Sequence, residues 1–101
     1  MSDATLRAEA QIPTASASKY LQQLCKHFQH KLPATFDAQA GQITFPLGQT
    51  RLAADDQTLT IRLEAASDED MERLKDVVGR HLARFAFREE LKVEWREPSA
   101  V

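Results

Sequence analysis

Apolar Leu6, Ala8, Ala10 and Ile12 alternate with polar Arg7, Glu9 and Gln11. A period of two sends successive side chains to opposite faces, so this stretch predicts a strand with one buried face. Pro13 ends it, and Thr14 or Ser16 stands where a helix cap belongs. The period then changes. At about 100° per residue, Leu21, Leu24, Cys25, Phe28 and Leu32 fall on one stripe, which predicts an amphipathic helix from about Ala15 to Lys31, stopped by Pro33.

Alternation returns after that proline. Ala34 and Phe36 predict a second strand, closed by the turn Asp37-Ala-Gln-Ala-Gly41. Ile43, Phe45 and Leu47 alternate with Gln42 and Thr44 in a third, with Pro46 placed at an edge or a strand end because it cannot donate a ladder bond. Gly48 marks a turn, Leu52 and Ala54 a short fourth strand, and Asp55-Asp56-Gln57 another turn. Leu59, Ile61, Leu63 and Ala65 form the cleanest strand. Ser67, followed by Asp68, Glu69 and Asp70, is a strong helix start. Met71, Leu74, Val78, His81, Leu82 and Phe85 then keep helical spacing, and Leu91, Val93 and Trp95 predict a closing strand.

The expected order is β-α-β-β-β-β-α-β in a single domain spanning residues 1–101. Strands with one apolar face favour antiparallel pairing, and helices with one apolar stripe cover that face. The fold class is therefore α+β: a two-layer sandwich, mainly antiparallel, with both helices on one side of the sheet. A TATA-binding-protein-like arrangement fits best, with a ferredoxin-like one as the alternative; neither implies a function.

Composition narrows the classes. Hydrophobic residues make up 43% and charged residues 28%, ordinary for a soluble domain, and the net charge of -2 gives no general pull toward nucleic acid or membrane. One cysteine excludes an internal disulfide and favours a reducing compartment. Met1-Ser-Asp-Ala shows no secretory leader, and no apolar run approaches the roughly 20 residues of a membrane span, so the expected location is the cytoplasm. The outward strand positions carry Arg7, Glu9, Gln42, Thr44, Thr60, Arg62, Glu64, Lys92 and Glu94 without aromatic rings, which argues against nucleic acid.

All three histidines and much of the basic charge fall near the predicted helix ends. Lys26, His27, His30 and Lys31 close the first helix; Arg80, His81, Arg84 and Arg88 close the second. The helix macrodipole favours cations there, so stability alone accounts for much of it. His81 is more unusual, because it falls inside an apolar stripe and needs a partner for its ring nitrogen. If the helices lie side by side, His27 and His81 face each other across the seam. His81, Arg84 and Arg88 follow at i, i+3 and i+7, and with His27 and Lys31 they make a ligand-binding set for a carboxylate or phosphate. Cys25, His27, His30 and His81 have zinc-ligand chemistry but poor spacing, so no metal or other cofactor is expected. Glycine-rich phosphate loops, nucleophile elbows and metalloprotease motifs are absent, and no catalytic residue is assigned.

The stretches Tyr20-Leu-Gln-Gln-Leu-Cys-Lys-His-Phe-Gln-His-Lys31, Gly41-Gln-Ile-Thr-Phe45 with Gly48, and His81-Leu-Ala-Arg-Phe-Ala-Phe-Arg-Glu89 with Trp95 resemble a family of small bacterial proteins, domain of unknown function 2218. The resemblance spans about Thr14 to Arg96 and implies no catalytic role at any position. Members sometimes occur beside siderophore-interacting ferric reductases, which implies an accessory role in iron acquisition with such a reductase as partner. Three functions stay open on this reading. The first is a non-enzymatic binding module for an anionic small ligand such as an iron chelate. The second is a protein-interaction module, monomeric or homodimeric, pairing through an edge strand. The third is an enzyme using His27 and His81.

Overall fold

Seven elements carry the chain through the computed structural model, which describes residues 5–97; residues 1–4, where no leader is expected, and 98–101 lie outside it. They are β1 (Leu6–Pro13), α1 (Ala17–Gln29), β2 (Ala34–Phe36), β3 (Ala40–Phe45), β4 (Gly48–Ala54), β5 (Thr58–Ala65) and α2 (Asp68–Phe85). The strands form one five-stranded sheet in the order β1-β5-β4-β3-β2, every neighbouring pair antiparallel. The protein is thus α+β, with the expected order of strands and helices through α2.

β1 and β2 are consecutive strands at opposite edges. Four inter-strand spacings separate them, about 19 Å. A helix the length of α1 spans about 20 Å, so it can carry the chain across the sheet. Three hairpins then walk back from β2 to β5, which pairs with β1. Asp37 and Asp55 fix two of these turns. Asp37 accepts from the backbone N–H groups of Gln39 and Ala40 at 2.8 Å, and Asp55 from those of Gln57 and Thr58 at 2.8 and 2.7 Å. The third turn is Pro46-Leu47, which places the proline just past the end of β3. Its exit residue, Gly48, has φ +157°, and a Cβ there would lie 2.0 Å from the Glu64 carbonyl oxygen. Only glycine fits that approach.

The register sorts side chains cleanly. Ala10, Ile61 and Leu52 lie in one row across β1, β5 and β4, and Ala8, Leu63, Thr50 and Ile43 in the next, all facing inward and buried. Tyr20, Leu21, Leu24, Cys25 and Phe28 of α1 and Met71, Leu74, Val78 and Leu82 of α2 pack onto those rows in one core. Each large aliphatic side chain so buried contributes about 1.5–3 kcal/mol. The outward rows are polar, with Arg7 paired to Glu64 at 3.3 Å and Arg62 to Glu9 at 2.9 Å.

Several boundaries differ from the sequence reading. α1 is shorter at both ends. The side chain of Ser16 makes no cap bond; the Thr14 hydroxyl accepts from the Ser16 N–H instead, at 3.0 Å. Ser67 does cap α2, accepting from the Asp70 N–H at 3.1 Å. β4 begins at Gly48, earlier than Leu52, because its inward Thr50 is polar and hides the alternation. The closing strand is reduced to a single bridge, in which Glu9 and Arg96 exchange backbone bonds of 2.7 and 2.9 Å at the outer edge of β1. Leu91, Val93 and Trp95 still turn toward the core, and all three are half-buried.

Candidate functional site at the ends of the helices

His27 lies in the last turn of α1 and His81 near the end of α2. Their rings meet, with centroids 4.8 Å apart and planes inclined by 43°. The pair rests on aromatic side chains that tie it to the core. His27 stands edge-on to Phe28 at 4.9 Å and to Phe85 at 5.7 Å. Phe28 also lies 4.8 Å from the His81 ring and 5.0 Å from Phe45 of β3. The seam contact expected from the helical wheel is present.

His81 satisfies one ring nitrogen within its own helix. Its Nδ1 lies 2.7 Å from the Val77 carbonyl oxygen. A carbonyl can only accept, so Nδ1 carries a proton in this contact. The His27 imidazole is held below the ordinary histidine value. Partial desolvation is the first cause, followed by the charges of His81, Arg84, Lys31 and His30. Every neighbour that perturbs His27 electrostatically is cationic or an imidazole.

The same environment locates the other expected residues. Arg84 lies one turn beyond His81 on α2 and Lys31 just past the end of α1, and both charges act on His27. Neither enters an ion pair among the described residues, whereas Arg80 on the same helix is bound by Asp76 at 2.9 Å. Arg88 does not join them. α2 ends at Phe85, and Ala86 adopts φ -100°, ψ 37°, so the i+7 projection from His81 runs past the end of the helix. The Arg88 guanidinium instead lies 5.4 Å from the centre of the Phe87 ring. The helical spacing could not show that the helix stops one turn short.

Cys25 points away from the histidines into the core. Burial pushes its thiol up to about 11, which leaves it protonated and unreactive. Among the described residues no group of three or more His, Cys, Asp or Glu side chains is placed to hold a metal ion. Likewise, no described helix is long and apolar enough to cross a membrane.

A second polar cluster escaped the sequence reading. Glu89, just beyond α2, accepts from the Thr14 hydroxyl at 2.9 Å and from the Tyr20 phenol. The carboxylate bond raises the Tyr20 pKa first, then burial and the charge of Glu89, so the phenol stays protonated and donates. This clamp fastens the segment after α2 to the start of α1. The available signal was a lone tyrosine on a buried helix flank, whose hydroxyl needs a partner.

The imidazole pair, Lys31 and Arg84 make a surface patch suited to an oxyanion. Negative charge there meets two cations that form no ion pair among the described residues, and it offsets the repulsion that, after desolvation, holds the His27 pKa down.

Comparison with known proteins agrees with the fold. The family model described as an uncharacterized protein conserved in bacteria (DUF2218) matches residues 9–96. The chain is also similar to the NMR structure of PA4090 from Pseudomonas aeruginosa, with a TM-score of 0.76 and 28% identity over 90% of this chain and 95% of that one. No curated protein matches.

Proposed function

From the premise that the chain belongs to the uncharacterised bacterial family DUF2218, we propose that it is a non-enzymatic binding module for an anionic small ligand, held where α1 and α2 end. The observation that carries this reading is the contact between His27 and His81, with the charges of Lys31 and Arg84 acting on His27 and neither of these in an ion pair among the described residues. Helix ends alone favour cations. They do not call for two imidazoles in contact, one of them destabilised in its charged form. A bound oxyanion supplies the missing counter-charge. Lys31 and Arg84 attract it, the arginine through planar paired donors, and His27 donates once protonated. A carboxylate-rich iron chelate has this chemistry at its periphery, in keeping with the accessory role in iron handling that the family resemblance implies.

Backbone amide NMR during titration with inorganic phosphate, citrate and ferric citrate tests the proposal. Shifts centred on His27, Lys31, His81 and Arg84 are expected. Lys31→Gln and Arg84→Gln should each weaken binding about tenfold, the equivalent of one charge-assisted contact of about 1.4 kcal/mol. Shifts confined to other surfaces, or none at millimolar anion, contradict it. Ferric citrate binding more tightly than citrate would support the iron-chelate form of the ligand, and equal affinity would remove it.

A further inference from the structure

On the flank of α2 turned away from the imidazoles, the structure leaves an apolar groove beside the segment that follows the helix. We infer that this groove is the contact surface for a second copy of the same chain, in which Phe87 of each copy enters the groove of the other. Gly79, Leu82, Ala83 and Ala86 form one helical stripe, Leu91 and Val93 supply the facing wall, and Glu89 and Glu90 border the space. The space holds about 350 Å³. A cavity of about 150 Å³ is enough for a benzene ring. Phe87 stands on the rim and is 74% exposed, the one large apolar side chain so exposed among the described residues. Knob and hole lie side by side on one surface. That is the requirement for a two-fold contact, in which residue i meets j and j meets i.

Two further observations select a second copy as the occupant. Gly79 sits within α2, where glycine weakens a helix relative to alanine. Its own fold gives no reason for it: φ is not in the left-handed region, and an added Cβ would meet nothing within 4 Å. The close approach of a ring from outside gives such a glycine a use. The rim is also self-complementary in charge. Arg88 lies over the Phe87 ring and Glu90 borders the groove, and neither has an ion-pair partner among the described residues. A two-fold contact lets Arg88 of one copy face Glu90 of the other twice over. One ring and its rim on each copy make a small contact, so the association is weak.

Sedimentation of the whole chain from about 10 μM to 1 mM tests this, the range in which a weak self-association shows itself. The apparent mass should rise from monomer toward dimer. Phe87→Ser and Ala83→Arg, both at exposed positions, should keep it monomeric while circular dichroism shows the fold intact. Arg88→Glu and Glu90→Arg should each fail to self-associate, yet an equimolar mixture of the two should form a heterodimer. A wild-type chain monomeric at 1 mM, a dimer that survives both Phe87→Ser and Ala83→Arg, or a mixture that stays monomeric overturns the inference. The outcome does not depend on the anion site, which lies on the other flank of α2.

Discussion

Cys25 and His27 stand two positions apart on one helix and end in opposite environments. At 3.6 residues per turn that separation is about 200°, so one side chain enters the core and the other reaches the helix seam. The thiol is packed against Gly41, where a Cβ would lie 2.7 Å from Sγ, 3.2 Å from the Phe36 Cβ and 3.3 Å from a Leu21 methyl. Gly41 therefore makes room for Cys25. Gly41→Ala should destabilise the chain by about 1–3 kcal/mol through overpacking. Cys25→Ala in the same chain should recover part of that cost, because it removes the nearest atom. Urea melts of the two single variants and the double variant measure the coupling. Costs that simply add would show that the sulfur is not what the methyl strikes.

At the scale of elements, periodicity made the faces of strands and helices legible and left their ends obscure. Leu59 to Ala65 and the stripes of α1 and α2 could be read because each apolar side chain marks the core directly. Thr50 concealed the first half of β4, since a buried hydroxyl looks like a surface residue. Leu91, Val93 and Trp95 show the opposite failure. Their alternation correctly gives the inward side, but a period of two does not say whether a neighbouring strand hydrogen-bonds, and among the described residues only Glu9 and Arg96 do. The His27–His81 contact could be anticipated from the helical wheel. The Glu89 clamp could not, because its partners are 69 and 75 residues away. This clamp anchors the segment that the single bridge leaves weakly held. Tyr20→Phe should cost about 1.5–3 kcal/mol, the range for a hydrogen bond to a charged group. Hydrogen exchange should show the amide of Arg96 losing protection before those of β5. Unchanged protection at Arg96 would mean that the clamp does not anchor the segment.

At the scale of the whole molecule, one sheet face carries both helices, and its strand order obliges the chain to cross from β1 to β2 before folding back. That path brings the C-terminal part of α1 against α2. It gathers His27, Lys31, His81 and Arg84 on one patch and leaves Arg88 and Phe87 on the turn beyond. The central claim is that this patch lacks a negative charge that a ligand supplies. Linkage fixes the sign: desolvation and then the neighbouring cations disfavour the His27 imidazolium, so an anion bound beside it must raise the pKa, and protonation must tighten the anion. The most direct measurement is the NMR titration of the His27 ring, with and without sulfate, whose charge is constant over the range. The account predicts a midpoint below the ordinary histidine value of 6.5 in the free chain, an upward shift with sulfate, and tighter sulfate binding at low pH. A His27 midpoint that sulfate leaves unmoved would contradict it.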